Sequence, residues 1–193
     1  MDRTYEDLVS RANAVEGPRT LNVMNRSVYF PKTCGRILDT SFHDLCMKPL
    51  GAIDYLALCE EFDIIVLRDV PRMSLEQRSE ARRFITMIDT FYDHKIQLIC
   101  SAESKPEELF AIGNLSEWDR HHKRILIGDL DIEKGSEDEK ASLFTGEEEL
   151  FAFDRVRSRL TEMKSEEYWN EKEMYKTSGN RTIKVSKRYG QSS

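Results

Sequence analysis

Asp63-Ile-Ile-Val-Leu-Arg-Asp-Val-Pro71, Arg82-Arg-Phe-Ile-Thr-Met-Ile-Asp-Thr-Phe-Tyr-Asp93 and Ile96-Gln-Leu-Ile-Cys100 are the three stretches that decide the fold. The first is a continuous apolar run from Asp63 to Leu67, the pattern of a strand buried on both faces, and Pro71 ends it. Ser74-Leu-Glu-Gln77 has the spacing of a capping box and predicts a helix to about Asp93. Within that helix Phe84, Ile85, Ile88, Phe91 and Tyr92 fall at i, i+1, i+4, i+7 and i+8, which is one face. Ile96 to Cys100 is a second apolar strand. Strand, long helix and strand predict a right-handed βαβ unit with parallel strands. Ligands of such sheets lie beyond the carboxyl ends of the strands, which here places Arg68, Asp69, Ser101 and Glu103 at that edge.

Working toward the N-terminus, Asp54 to Phe62 reads as a helix with Tyr55, Leu58, Cys59 and Phe62 on one face, preceded by the turn Pro49-Leu-Gly51. Ser41-Phe-His-Asp44 has the spacing of a helix start. Arg36 to Leu38 is a short strand. Leu21 to Met24 and Ser27 to Phe30 form a small hairpin around Asn25-Arg26, punctuated by Pro31 and Cys34-Gly35. Tyr5 to Ala14 reads as a weak, exposed helix ending before Gly17-Pro18. Toward the C-terminus, Lys105 to Phe110 begins a short helix with proline in its tolerant first turn. Residues 111–145 are loop-rich and include an acidic stretch at 128–140. Gly146 to Trp169 predicts one strong helix, with Glu147 to Glu149 at its positive end and Leu150, Phe153, Val156, Leu160 and Met163 on its apolar face. Asn170 to Ser193 is polar and basic and reads as a disordered tail.

The 193 residues are 39% apolar and 33% charged, enough for a core under a highly charged surface. No apolar run reaches membrane-spanning length, and the acidic N-terminus resembles neither a secretory signal nor a presequence. The net charge is −6, which argues against a field that steers the whole chain to nucleic acid. That charge is uneven: residues 171–193 carry six Lys/Arg against two Glu, leaving −10 on the rest. Cys34, Cys46, Cys59 and Cys100 show no paired metal-binding spacing and read as buried thiols of a reducing compartment.

Candidate chemistry is sparse. No phosphate-binding Gly-x-x-x-x-Gly-Lys-Ser/Thr motif occurs, nor Gly-x-Gly-x-x-Gly, Gly-x-Ser-x-Gly or His-Glu-x-x-His. His121-His122 sits in a polar stretch and reads as solvated. Ile64 to Asp69 looks like a strand ending in a magnesium-holding acid pair, but Arg68 stands at the first acidic position, where a cation repels a metal; a core strand with a charged rim is the simpler reading. Arg78, Arg82 and Arg83 share the polar side of the long helix. They are either a solvated face paired with Glu80 and Asp89, or they include an arginine acting in trans on a neighbouring subunit's phosphate, for which Arg83 is the candidate. Arg155 and Arg159 are one helical turn apart on another helix and need a nearby anion; Asp154 and Glu162 supply part of it, and a nucleotide phosphate is the functional alternative.

Gly51-Ala-Ile-Asp-Tyr-Leu56, Arg83 to Asp93, Phe144-Thr-Gly-Glu-Glu-Glu-Leu-Phe-Ala-Phe-Asp-Arg155, Ser158-Arg-Leu-Thr-Glu-Met163 and Tyr168-Trp-Asn-Glu171 together resemble the C-terminal half of a mitochondrial AAA-type ATPase family. It is the family of lactation elevated protein, with the cell-division ATPase ZapE among its bacterial relatives. The resemblance covers about residues 1–172. It implies an α/β fold: a partial P-loop-NTPase-like three-layer sheet with a βαβ unit, a small N-terminal β-hairpin, a late helix and a basic tail. It implies residues 1–169 as the C-terminal portion of an ATPase domain whose Walker A and Walker B motifs lie upstream, with 170–193 as the tail. ATP and magnesium are then cofactors of the complete protein, with no metal ligand in this chain. The Ser158-Arg159-Leu160 string occupies the position of the family's second sensor, so Arg159 inherits a catalytic and nucleotide-contacting role, and Arg155 a contacting one. Val156 follows Arg155 where many relatives carry threonine. The resemblance further implies mitochondrial protein quality control, client proteins and a protease as partners, homo-oligomerisation, and inner-membrane association without a transmembrane helix in this chain. The rival reading is a non-catalytic protein-interaction module using the helices and the basic tail.

Overall fold

Alternation within the central strands sets the architecture. The computed structural model describes residues 1–73, 77–110 and 151–170. Strands β1 (Glu16–Val23), β2 (Arg26–Cys34), β3 (Ile37–Ser41), β4 (Ile64–Val70) and β5 (Gln97–Ala102) form one sheet in sequential order. The first three are antiparallel; β3, β4 and β5 are parallel. Helices α2 (Ala52–Glu61) and α3 (Arg78–Asp93) are the two crossovers. Parallel strands need such crossovers, and two βαβ units stand where the long apolar strand predicts one.

Successive residues of a strand face opposite sides. Leu38, Ile65 and Leu67 join the larger core with Tyr55, Leu58, Phe84, Ile88 and Phe91 from α2 and α3. Ile37, Ile64 and Val66 point the other way, against Tyr5 and Leu8 of α1 (Asp2–Ala12). The result is three layers: α1, the sheet, then α2, α3 and the late helical segment. The first helix is therefore not an exposed appendage. Its sequence shows only two buried positions, and what buries them is the second face of the central strands.

The hairpin also exceeds its predicted length. Pro18 lies inside β1, yet proline is admissible there because β1 is an edge strand and the pairing slips between Gly17 and Arg19. Pro31 is tolerated because β2 pairs with β3 only at Thr33 and Cys34. Arg26 pins the hairpin to α2: its guanidinium pairs with the buried Asp54 and donates to the Pro49 carbonyl at 3.0 Å. Asp54 also accepts from the Gly51 N–H at 2.8 Å, capping α2. Gly35 closes the next turn with φ +57°, and a Cβ there would meet Ala14 at 3.0 Å.

The Ser41–Asp44 spacing does start a helical turn, but a π-helical one of five residues, His43–Met47. The Asp44 N–H donates to Ser41 Oγ at 3.1 Å and Ser41 Oγ donates back to the Asp44 carboxylate at 2.8 Å. The late segment divides: residues 151–162 (α4) and 166–170 (α5) are helical, with a turn between. Ser165 accepts from the Tyr168 N–H at 3.2 Å as the cap of α5, and the Trp169 indole donates to the Met163 carbonyl at 2.8 Å. Phe153, Val156, Leu160 and Met163 are buried as the apolar face predicts. Residues 74–76 of the capping box, the acidic stretch, His121-His122, Glu147 to Leu150 and the tail from 171 lie outside the described residues.

Phe84 is buried between Phe42 and Phe110, with ring centroids 5.9 and 6.3 Å away. Phe84→Ala is expected to cost about 3–5 kcal/mol, the range for emptying an aromatic site in a packed core. Urea titration checks this, and a midpoint equal to wild type means the helix face is misassigned.

Candidate functional site

Ser41 aligns with Arg68 across β3 and β4, and Leu67 with Cys100 across β4 and β5, so the carboxyl ends of all three parallel strands meet at one edge. The four residues predicted there are bound into the framework. Asp69 adopts φ +59° at a register shift in β4, and its N–H donates to Ser101 Oγ at 3.0 Å. The Arg72 N–H donates to the Glu103 carboxylate at 2.9 Å. Arg68 turns to the α1 face and makes a two-point contact with the buried Asp39, at 2.6 and 2.7 Å. It also donates to Asp2 at 2.6 Å, while Lys32 reaches Asp39 at 2.9 Å. This four-charge cluster fastens β2, β3, β4 and α1 together. It agrees with the reading of β4 as a core strand with a charged rim. Among the described residues, no cluster of His, Cys, Asp and Glu could hold a metal.

The candidate arginines occupy two places. Arg83 Nε donates to the Cys46 carbonyl at 2.8 Å, tying α3 to the π-helical turn, and Glu80 lies 4.0 Å away. Arg155 and Arg159 of α4 converge on one carboxylate, that of Asp89 on α3. Arg155 Nη2 donates to Oδ2 at 2.7 Å and Arg159 Nη1 to Oδ1 at 2.6 Å. Asp93 lies 3.4 Å from Arg159, whose guanidinium also stacks over Tyr92 at 4.7 Å. The hydrogen bond to Asp89 holds the Arg155 guanidinium above its ordinary pKa. The anion required by the paired cations thus comes from α3, one residue of which, Asp89, the sequence pattern gives to the Arg78–Arg83 face instead. Asp154 pairs with Arg157 at 3.0 Å. Arg83 and Asp89 are six residues apart, about 9 Å along the helix axis, so Arg83 and the Arg155/Arg159 pair mark separate places on α3. Chemically, the second place is a pair of guanidinium groups converging on one carboxylate, Arg155 through two nitrogens and Arg159 through one, an arrangement suited to oxyanions.

Three of the four cysteines, Cys34, Cys46 and Cys59, are buried; Cys100 is exposed. Cys100 borders a cavity of about 470 Å³ between the sheet, α3 and α4. Sequence reasoning misses this cavity, because its walls come from four separate elements. It also misses the Asp39 cluster, although an aspartate in the apolar string Ile37-Leu-Asp39-Thr40 is a signal that a buried partner must exist.

The layered sheet with parallel strands and helices on both faces defines an α/β domain of the kind on which P-loop ATPases are built. Residues 1–127 match the family model of AFG1-like ATPases, and the chain belongs to that family. It is 41% identical over 165 residues to Lactation elevated protein 1 homolog B of Danio rerio, covering 86% of this chain and 32% of the relative. It is 31% identical over 153 residues to Cell division protein ZapE of Escherichia coli, covering 79% and 32%. An uncharacterised protein of Schizosaccharomyces pombe is 33% identical over 150 residues, covering 77% and 31%. The chain thus spans about a third of the length of these curated relatives. No solved structure matches it.

Proposed function

We propose that this chain is the C-terminal portion of an ATP-binding, ATP-hydrolysing AAA-type ATPase of mitochondrial protein quality control. The observation that carries the reading is the family match over residues 1–127, to which the Ser158-Arg159-Leu160 string on α4 adds a residue-level element. In this reading the phosphate-cradling loop and the magnesium ligands belong to the remainder of the complete protein. This chain contributes Arg159, with Arg155 beside it, as a phosphate-contacting cation in the same subunit. Arg83 is the candidate for a trans-acting role between subunits. Such arginines act electrostatically, neutralising charge that spreads over the transferred phosphoryl oxygens. Client proteins, a protease partner, homo-oligomerisation and inner-membrane association belong to the same proposal. Among the described residues no helix is long and apolar enough to cross a membrane.

The 193 residues alone are expected to show no ATP turnover, because nothing in their sequence forms a loop that surrounds β- and γ-phosphates. Grafting them in place of the corresponding segment of a full-length family member is expected to give magnesium-dependent hydrolysis. Saturable turnover by the isolated chain through successive purification steps overturns the first expectation. A folded chimera that neither binds nor hydrolyses ATP, beside an active parent, overturns the reading itself.

A further inference from the structure

Four apolar side chains stand in solvent around one polar clamp. Arg26, which pairs with Asp54 and donates to the Pro49 carbonyl at 3.0 Å, holds the tip of the β1–β2 hairpin against the start of α2. Met24 is two residues from Arg26 on that tip, Met47 two residues before Pro49, and Ile53 next to Asp54; Leu56 follows Ile53 at i+3, on the same helical face. Their exposure runs from 40% at Leu56 to 79% at Met24. The exposed positions of α2 are Ala52, Ile53, Leu56 and Glu60, whereas a helix face covered by water alone carries mostly polar residues.

Two backbone irregularities present the methionines. Val23 pairs with Arg26, so Met24 and Asn25 are the two loop residues of the hairpin. Met24 has φ +52°, a conformation that such loops give to Gly, Asn or Asp and that a bulky side chain disfavours. Met47 closes the π-helical turn His43–Met47, a geometry frequent at functional sites. Folding calls for neither side chain: glycine at position 24 fits the loop better, and a polar residue at 47 meets water better. The charges at the rim are already matched, Arg26 to Asp54 and Lys48 to Asp44 at 2.6 Å, so the patch suits an apolar partner rather than a charged one. We propose, building on the client-protein part of the function above, that this patch docks a short apolar segment of another polypeptide, presented by an unfolded or partly folded protein. Area decides against a second copy of this chain. Four side chains so exposed present a few hundred Å² of apolar surface, whereas a stable contact between two folded copies takes about 800 Å² from each. Such an area holds a few side chains reversibly. The flexible thioethers of Met24 and Met47 adapt to side chains of different shape, as a site for many sequences requires.

The probe is the blocked peptide Gln-Leu-Ile-Phe-Leu-Gln carrying fluorescein, and its anisotropy follows binding to the 193-residue chain. Weak, saturable binding is expected, and none by the same peptide with serine in place of its four apolar residues. Ile53→Ser/Leu56→Ser, at two exposed positions, is expected to raise Kd about tenfold with the fold intact by circular dichroism. Met24→Gly separates docking from folding. It should leave the urea midpoint near wild type, since glycine adopts that φ freely, and yet raise Kd several-fold. A photoreactive benzoylphenylalanine in place of the peptide's phenylalanine, read by mass spectrometry, should label segments 24–26 and 47–56. No binding, equal binding of the serine peptide, an unchanged Kd in Ile53→Ser/Leu56→Ser, or label elsewhere on the chain overturns the proposal. So does a dimer that the two serines abolish, because the occupant is then a second copy. Binding that is lost when the segment is grafted into a complete family member overturns it too, because the patch is then an internal seam. None of these outcomes bears on ATP binding by that chimera, on which the ATPase reading stands or falls.

Discussion

Arg68→Ala is expected to lower the stability of the chain by about 3 kcal/mol, the lower end of the range for removing one partner of a buried charge pair. The Asp39 side chain is 2% exposed and that of Arg68 23%, so solvent replaces little of what the guanidinium provides. Removal leaves Asp39 with Lys32 alone at 2.9 Å. Lys32 is itself held over the Tyr5 ring at 4.1 Å, so its charge is shared with the packing of α1. The loss reaches α1 directly as well, because Arg68 bonds Asp2. That hydrogen bond, followed by the guanidinium charge, holds the Asp2 carboxyl below its ordinary pKa. A carboxylate with a depressed pKa adds stability that is present above its unfolded value and lost as pH falls through its folded one. The α1 contact should therefore loosen in acid in the wild type, and Arg68→Ala should remove that dependence. The double variant Arg68→Met/Asp39→Leu should recover much of the loss, since it leaves no buried charge unpaired: the partners it strips, Lys32 and Asp2, are 41% and 77% exposed and are met by solvent. Urea unfolding at neutral pH reads all three proteins, and an Arg68→Ala midpoint equal to wild type would show that the cluster contributes nothing net.

The parallel core was legible because it rests on local pattern. The run Ile64 to Leu67 and the face Phe84, Ile85, Ile88 and Phe91 each lie within one element, and each is buried as its period requires. What escaped was set by long-range pairing. The helix α1 looks exposed from its own sequence, since Tyr5 and Leu8 alone do not reveal that Ile37, Ile64 and Val66 present a second apolar face. The extra length of the hairpin was hidden by Pro18 and Pro31, which read as breakers until the edge position and the register shift are known. The division of the late helix was available in principle, because Ser165 followed by Glu166-Glu167 is a helix start. The uninterrupted apolar spacing through Met163 outweighed it. At the arginines, the need for an anion was readable from the i, i+4 cations, but its source on α3 was not: Asp89 is 66 residues from Arg155 in sequence.

Arg159→Ala in a complete family member carrying this segment is expected to reduce kcat/KM for ATP by about 10²-fold, the scale of losing one preorganised donor to a developing oxyanion. The same substitution should cost only about 1 kcal/mol of stability, because Arg155 still pairs with Asp89 at 2.7 Å and the lost contacts are two partly exposed ion pairs, to Asp89 and Asp93, and a stacking over Tyr92. These two numbers separate the roles. A strut between α3 and α4 would change the melting temperature and leave ATP kinetics alone, whereas a phosphate contact would do the reverse. In the present structure Asp89 and Asp93 occupy the Arg159 guanidinium, so phosphate must compete with them. Asp89→Asn should therefore tighten ATP binding if Arg159 reaches the nucleotide, and should only weaken folding if it does not. Arg159→Lys should restore the melting temperature more fully than the turnover, since an ammonium can face Asp89 but cannot reproduce a planar two-point contact with phosphate. Arg83→Ala is the internal comparison. Its Nε bond to the Cys46 carbonyl predicts a structural loss at any protein concentration. A trans-acting role predicts in addition a fall in kcat that appears only once subunits assemble. Unchanged affinity and turnover in a folded Arg159→Ala protein would leave this arginine as a link between two helices and move the search for the phosphate contact to Arg155.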